Sequence, residues 1–289
     1  MSIAAGTATT VARRRAWSGA QGLTSPGIVI PIVVIAAATI VAIFGPLLAP
    51  YDPDLPDLSQ FFVGPAGGHL LGYDGQGRDV LSRLLVGART SMIGPLAVTV
   101  LCMSTGSLLA VAAAWRGGLL DTVLSSGLDI LFAFPGILLA VLSAAVFGAG
   151  LIAPVLALSV AYTPYVARVL RGAALRERAQ QYVAALEVQG ASGVAICFRH
   201  LLPNMAGLIV AQATTLFGYA MVDLAAISYL GLGVQPPTAD WGVMVAENQQ
   251  GIIQGYPIPS LAAGICIVLV VVAFNILGER LYERSETRR

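Results

Sequence analysis

Six windows of mostly apolar residues dominate this chain of 289 residues. They span residues 28–49, 91–114, 124–147, 151–169, 206–228 and 258–277. A helix of about 20 apolar residues crosses a hydrocarbon core of about 30 Å. Only 11% of the residues are charged, whereas soluble domains carry roughly 25%. We therefore predict an all-α polytopic membrane protein with six transmembrane helices.

The distribution of arginine orients the predicted helices. All 16 basic residues are Arg. With a cytoplasmic N-terminus, 13 of the 16 lie on the cytoplasmic side, and only Arg78, Arg83 and Arg89 lie outside. Because cytoplasmic loops are enriched in basic residues, we predict that both termini and the long loop 168–203 are cytoplasmic. Three arginines, at positions 13–15, precede the first window, but that window is too long for a signal peptide and is predicted to stay as a span.

Several kinds of chemistry are disfavoured by the composition. Without any Lys, the chain has no normal Walker A site for ATP and no Lys for Schiff-base catalysis. The three cysteines, at positions 102, 197 and 266, form no disulfide or metal-binding pattern. A net charge of +1 gives no argument for nucleic acid. A membrane protease is disfavoured because His69 and His200 lie outside the windows and HExxH is absent. We predict that the chain is not an enzyme and binds no cofactor.

The long loop between the fourth and fifth windows has the pattern of two short helices joined at a glycine. Good helix formers run from Tyr182 to Val188, and Gly190 is placed to end that helix. Ser192 is a suitable N-cap for a second helix, which Pro203 is expected to close. Small side chains on the first helix would let another surface approach closely. The alternative is an amphipathic helix that lies on the membrane surface.

Two segments on the predicted outer side are more than short connections. In residues 50–89, Val80, Leu81, Leu84 and Leu85 recur at helical spacing beside polar residues, which predicts a short amphipathic helix at the outer interface. Residues 231–257 are punctuated by Gly and Pro. Trp241 and Tyr256 in that segment are suited to the membrane interface.

Two acidic residues lie inside apolar windows, where a charge is costly and often functional. Asp129 and Asp223 are candidates for lining or gating a translocation pathway, for instance by meeting a peptide amino group. The alternative is an interhelical hydrogen bond or an Arg of a partner subunit, which we favour for Asp129 and leave open for Asp223. Pro135 followed by Gly136 is expected to kink the third helix.

The loop resembles the EAA loop of ABC-importer permeases, which docks on a cytoplasmic ATPase. Ala184, Ala185 and Leu186 stand at the Glu-Ala-Ala positions, so the Glu is absent, and Gly190 and the Leu-Pro ending follow. Five further strings, between residues 26 and 282, are similar to C-type permease subunits of the dipeptide, oligopeptide and nickel importers. They are LLAPYDP, LLGYDGQGRDVLSRLLVGARTS, FAFPGILLAVLSAAVFGAGL, FRHLLPN and SYLGLGVQPPTADWGVMVAE.

This resemblance implies a type I ABC-importer permease fold of six helices, with specific site residues. The implied ATPase-coupling loop comprises Tyr182, Val183, Ala184, Ala185, Leu186, Gly190, Ala191, Leu202 and Pro203. The implied outer-face signature comprises Gly72, Asp74, Gly77, Arg78 and Asp79. The implied division is a cytoplasmic tail (1–27), a first span with an extracytoplasmic segment (28–88), a permease core (89–278, with the coupling loop at about 170–204) and a cytoplasmic tail (279–289).

The resemblance also implies the assembly and its cargo. A related B-type permease would complete the pore in a bacterial inner (plasma) membrane. Two ATPase subunits, or one fused ATPase, would use ATP-Mg, and an extracytoplasmic binding protein would deliver di- or oligopeptides. A nickel or other small-solute importer of the same family is the nearest alternative. A proton-coupled secondary transporter and a sensor or scaffold subunit are alternatives from other classes.

Overall fold

The computed structural model describes residues 26–287. The helices are α1 Pro26–Leu48, α2 Val80–Arg116, α3 Gly118–Phe132, α4 Gly136–Phe147, α5 Ile152–Arg178, α6 Gln181–Val188, α7 Gly193–Ile196, α8 Leu202–Asn204, α9 Ala206–Tyr229, α10 Trp241–Ile253 and α11 Ile258–Thr287. The described residues contain no strand, only two isolated bridges. The predicted tail at 1–25, with its three arginines, and Arg288 and Arg289 lie outside the described residues.

The apolar windows fold into membrane-spanning helices. Five helices, α1, α2, α5, α9 and α11, are long and apolar enough to cross a membrane. The third window forms α3 and α4, which meet at an angle of 75° and make a sixth span if they are counted as one broken helix. The break lies at Pro135, which has no N–H to donate and disfavours helical geometry at the residue before it. The predicted all-α class and the predicted kink are therefore confirmed.

The amphipathic segment that follows Asp79 is not a separate helix, so that prediction is wrong. Val80 starts α2, which continues without interruption for 37 residues to Arg116. Asp79 caps this helix, and no breaker separates its first turns from the apolar window. Ser82 and Arg83 are fully buried rather than directed to water. Their polar groups meet loop segments that cover the end of the bundle.

The core consists of three apolar clusters, and α2 contributes to all of them. Ala110 of α2 packs in the first cluster with Leu170 of α5. Val80 packs in the second with Trp241 of α10. Val98 packs in the third, between α4, α5 and α9. The central helix therefore joins the two ends of the bundle.

The two ends carry different structures. The end that holds residues 179–205 is called the loop end. The other, called the far end, holds residues 49–79, residues 230–257 and helix α10. Trp241 is only 3% exposed and its Nε1 donates to the carbonyl of Leu84 at 3.0 Å, so its predicted interface position is wrong. Tyr256, by contrast, is exposed.

Candidate functional site

The loop end is built around a sharp helix–glycine–helix turn. Helix α6 ends in a Schellman motif, in which Gly190 N–H donates to the backbone carbonyl of Glu187 and Ala191 N–H to the backbone carbonyl of Leu186, both at 3.0 Å. Gly190 has a φ of +81°, a backbone conformation that strains residues with a Cβ. Ser192 then caps α7, because its Oγ accepts from Ala195 N–H at 3.3 Å. The predicted arrangement is confirmed up to this point.

Pro203 does not end the second helix, so that part of the prediction is wrong. The chain stays helical through a π-helical turn, Cys197–Leu201, and α8 then follows directly. In this wide turn Leu202 N–H donates to the carbonyl of Cys197, five residues earlier. The wider turn accommodates a proline, which cannot donate to the carbonyl four residues before it. Only Met205 separates α8 from α9.

The underside of the loop is packed against the ends of α2 and α5. Val183, Ile196 and Leu201 are at most 1% exposed and belong to the first core cluster. Gly193 lies so close to the indole of Trp115 that a Cβ at this position would collide with the ring. The loop is therefore fixed to the bundle by packing along its whole length.

Polar contacts tie the two ends of the loop together. The carboxylate of Glu177 accepts from the Tyr182 hydroxyl at 2.7 Å and from Asn204 Nδ2 at 2.9 Å. Partial burial and the Glu177 hydrogen bond raise the pKa of Tyr182 to about 12, so its hydroxyl keeps its proton. Arg178 donates to the carbonyl of Ala114 at 2.6 Å and lies over the Trp115 ring. The sequence analysis did not single out Glu177 or Arg178 for these roles.

The predicted coupling residues divide into a buried and an exposed group. Val183 is buried, and the half-buried members are Tyr182, Leu186, Ala191 and Leu202. The exposed members are Ala184, Ala185, Gly190 and Pro203. Three further apolar side chains are exposed beside them: Val188 at 89%, Val194 at 71% and Phe198 at 57%. The exposed side of the loop thus combines small and apolar residues with polar ones such as Glu187, Gln189 and Arg199.

At the far end, the predicted outer-face signature forms a buried turn. Asp74 is fully buried, and its Oδ1 accepts from the N–H groups of Gln76 at 2.8 Å and Arg78 at 2.9 Å. Gly72 accepts from Val80 N–H at 3.1 Å. Gly77 has a φ of +75° and lies against the backbone of Asp57, where a Cβ would collide. The turn therefore fixes the start of α2.

Arg78 connects this turn to helix α10. It donates to Asp74 Oδ2 at 2.8 Å and to Glu247 Oε2 at 2.6 Å. Burial works to lower the pKa of Arg78, but the hydrogen bonds and charges of Asp74 and Glu247 outweigh it and raise the pKa. Arg78 is therefore a permanent cation between two carboxylates.

Arg83 is a second cation in this cluster. Its Nη1 lies within 3.2 Å of the carbonyls of Pro53 and Pro237 and within 3.1 Å of the Asp54 carboxylate. Its Nε is 3.7 Å from Asp74, and its Nη2 is 3.5 Å from Glu247. The side chain is fully buried. We call Asp74, Arg78, Arg83 and Glu247 the far-end cluster.

Two aspartates cap the helices that meet beside this cluster. Asp79 caps α2 by accepting from Ser82 N–H at 2.7 Å, and its other oxygen lies 2.7 Å from His69 Nδ1. Asp240 caps α10 and accepts from the Ser91 hydroxyl at 2.7 Å. Burial raises the pKa of Asp240, and these hydrogen bonds oppose the rise. Asp240 therefore links α10 to Ser91 of α2, and Asp79 links the start of α2 to His69.

The two intramembrane aspartates have partners within this chain. Asp129 forms an ion pair with Arg168 of α5. Asp223 accepts from the Tyr162 hydroxyl of α5 at 2.6 Å. Both residues therefore form a bond to another helix, which was the predicted alternative to a pathway role. The Arg that pairs with Asp129 belongs to this chain and not to a partner subunit. A pathway role for Asp223 stays a prediction.

Comparison with known proteins assigns the family. Residues 103–289 match the family described as binding-protein-dependent transport system inner membrane component. The chain belongs to this family of transport permeases. Within residues 26–287, the permease has no group of three or more His, Cys, Asp or Glu side chains placed to hold a metal ion.

Named relatives of the permease are similar over most of their length. A dipeptide transport system permease, DppC, of Alkalihalophilus pseudofirmus is 35% identical over 90% of this chain and 85% of its own. A di/tripeptide transport system permease, DppC, of Pseudomonas aeruginosa is 38% identical over 86% and 83%. A glutathione transport system permease, GsiD, of Escherichia coli is 37% identical over 86% and 82%.

Proposed function

We propose that this permease forms half of the pathway through which an ATP-driven importer carries di- or oligopeptides across a bacterial plasma membrane. The relatives named for dipeptide, di/tripeptide and glutathione transport support a peptide cargo. A B-type permease completes the pore, and an extracytoplasmic binding protein delivers the peptide. The ATPase partners bind ATP-Mg, and the loop end faces them in the cytoplasm.

The loop end couples the permease to the ATPase. This proposal is based on the contrast between the buried side and the exposed side of the loop end. Ile196 and Leu201 are fully buried against the bundle, whereas Ala184, Ala185 and Val188 are exposed. A rigidly packed loop that exposes small and apolar residues among polar ones is suited to docking in a cleft of another protein. Since the Glu of the EAA pattern is absent, this docking depends on shape rather than on that carboxylate.

Movement of the docked loop reaches the membrane helices through the contacts already described. The Glu177 carboxylate joins α5 to Tyr182 and Asn204. Arg178 joins the end of α5 to the end of α2 at Ala114. Closure of the ATPases would therefore displace α2 and α5 together, as a rigid-body change between two states. No covalent step is required of this chain.

Replacing Ala184 tests the docking. Ala184→Arg places a long cation on the exposed surface of α6 and should weaken docking about tenfold or more, which corresponds to about 1.4 kcal/mol. Peptide uptake per ATP should fall as a result. The measurement is peptide uptake and ATP hydrolysis in proteoliposomes that contain both permeases, the ATPases and the binding protein. Ala184→Ser, which keeps a small side chain, is the matched control and should behave as wild type.

Two results would contradict the proposal. Normal uptake per ATP in the assembled Ala184→Arg complex would remove this loop as the coupling site. Peptide uptake driven by a proton gradient without the ATPases would replace the importer with a secondary transporter.

A further inference from the structure

A stripe of polar and aromatic side chains runs between α5 and α9 inside the membrane-spanning part of the bundle. Tyr165 donates to Gln212 Oε1 at 3.3 Å, and Tyr162 donates to Asp223 at 2.6 Å. Tyr219 lies one helical turn from Asp223, on the same face of α9. We call these five residues the polar stripe.

The polar stripe is poorly suited to contact with lipid. Asp223 lies about 9 Å along α9 from its end at Tyr229, at 1.5 Å per residue. Placing an Asp at the centre of a lipid-facing helix costs about 2.5–3.5 kcal/mol. Tyr165 and Tyr219 are nevertheless 37% and 53% exposed in this chain. The stripe therefore faces either a partner subunit or a water-filled path.

Asp223 differs from the other aspartates of the spanning helices in lacking a cation. Asp121 is paired with Arg171, and Asp129 is paired with Arg168. Asp223 has no Arg or His within salt-bridge distance among the described residues, and Tyr162 is its hydrogen-bond partner. If Asp223 is ionised, its countercharge must come from outside the described residues.

A cavity of about 310 Å³ adjoins the stripe. It is lined by Phe132 and Phe134 at the break between α3 and α4, by Tyr162 and Tyr165, and by Tyr219. This volume is at the lower end of the range for small-molecule sites, about 300–1,000 Å³. Aromatic faces attract cations, and tyrosine hydroxyls form hydrogen bonds with peptide groups.

We propose that the polar stripe is a membrane-embedded subsite for the positively charged amino group of a peptide substrate. Asp223 supplies the countercharge, the tyrosine rings surround the ammonium group, and Gln212 and the hydroxyls form hydrogen bonds with the peptide backbone. The proposal rests on the proposed function, because it assumes that peptides pass this chain. It adds a requirement for a free amino group within the permease itself.

A cysteine beside the stripe tests the subsite directly. Val222→Cys places the cysteine at an exposed position next to Asp223. The assembled complex of permeases and ATPases is used without the binding protein, so that selection by that protein plays no part. The rate of labelling by a membrane-impermeant maleimide is measured with no peptide, with a dipeptide, and with its N-acetylated form. Val268→Cys, at an exposed position on the apolar spanning helix α11, is the control and should not be labelled.

The dipeptide should slow labelling of Cys at position 222 several-fold, and the N-acetylated form should not. Adding Asp223→Asn should abolish the effect of the dipeptide, with assembly confirmed by size-exclusion chromatography. No labelling, equal protection by both peptides, or protection that persists with Asp223→Asn would each overturn the subsite. The last result is expected if an Arg of the partner subunit neutralises Asp223.

Peptide uptake by the wild-type complex separates the two proposals. If the complex takes up peptide but the free amino group does not protect Cys at position 222 from labelling, the subsite is rejected and the proposed function stands. If the free amino group protects Cys at position 222 but ATP drives no peptide uptake, the subsite stands and the proposed function is rejected.

Discussion

Arg83 joins three separate stretches of the chain at the far end of the bundle. Its guanidinium contacts Pro53 and Asp54 before α2 and Pro237 before α10. The side chain is fully buried, so its charge depends on nearby carboxylates for compensation. The carboxylates that compensate both arginines are Asp74 and Glu247, and the more exposed Asp54 also pairs with Arg83. Removing one of these carboxylates would leave an excess of buried positive charge.

Asp74→Asn should therefore destabilise the permease strongly. Breaking a buried ion pair by removing one partner typically costs about 3–5 kcal/mol. Thermal unfolding of the purified chain in detergent, followed by the loss of monodisperse protein, measures the effect. Asp52→Asn is the control, because Asp52 is exposed and its hydrogen bond is to the nearby Asp54 N–H. Equal unfolding temperatures for the two variants would show that the far-end cluster does not stabilise the fold.

Only part of the far-end cluster could be predicted from the sequence. The resemblance to the family's outer-face signature points to Asp74 and Arg78, and their mutual contacts are local. Glu247 lies 169 residues from Arg78 along the chain, and no local pattern pairs them. The helical pattern around Arg83 predicts a polar face toward water, whereas the side chain is buried, because the pattern does not show which loops cover the helix.

Among the elements, the π-helical turn Cys197–Leu201 decides how α6 and α7 are placed relative to α9. Leu202 N–H reaches Cys197 across this turn, and Pro203 follows at once. A wide turn inserts one residue relative to a regular α-helix and so rotates what precedes it by about 100°. The turn thus sets which side of the loop is buried against the bundle.

Pro203→Ala should reduce coupling by changing how the loop packs on the bundle. The alanine restores an N–H that can bond four residues back, and it removes the ring that excludes regular helix. The resulting rotation would turn Ile196 out of its buried position. Uptake per ATP in proteoliposomes should fall several-fold, and the unfolding temperature should fall because the regained hydrogen bond does not fully offset the lost burial of Ile196. Unchanged coupling would mean that the π-helical turn persists without the proline or has no role in placing the loop.

Parts of the loop that depend on neighbouring residues could be predicted from the sequence, and parts that depend on distant contacts could not. Gly190 and Ser192 act through bonds to residues within five positions, so the sequence was sufficient to place the turn. The outcome at Pro203 depends on whether the preceding helix can widen, which in turn depends on Ile196 and Leu201 packing against α2 and α5. That packing involves distant parts of the chain.

For the whole molecule, the six apolar windows were sufficient to predict the class, because the bilayer sets the length of a spanning helix. The windows did not show that α3 and α4 bend by 75° or that α10 packs inside the far end. They also did not show that Tyr162 and Asp223 would meet. These features depend on contacts between helices, and the hydropathy of a segment does not show which other helix it contacts.

The orientation in the membrane is testable with single cysteines. Gln189→Cys at the loop end and Gln254→Cys at the far end are both at exposed positions. Since 13 of 16 arginines fall on one side, an impermeant thiol reagent added to intact spheroplasts should label position 254 only. Permeabilised spheroplasts should show labelling at both positions. Labelling of position 189 in intact spheroplasts would reverse the orientation and separate the loop end from any cytoplasmic ATPase.

The uninterrupted length of α2 has a mechanical consequence. Its 37 residues make a rod of about 55 Å, with the far-end cluster at one end and Trp115 beside the loop at the other. A tilt of about 5° about one end of such a rod moves the other end by about 5 Å. The loop end and the far end are thus joined by one continuous helix, so one end cannot be displaced far without moving the other.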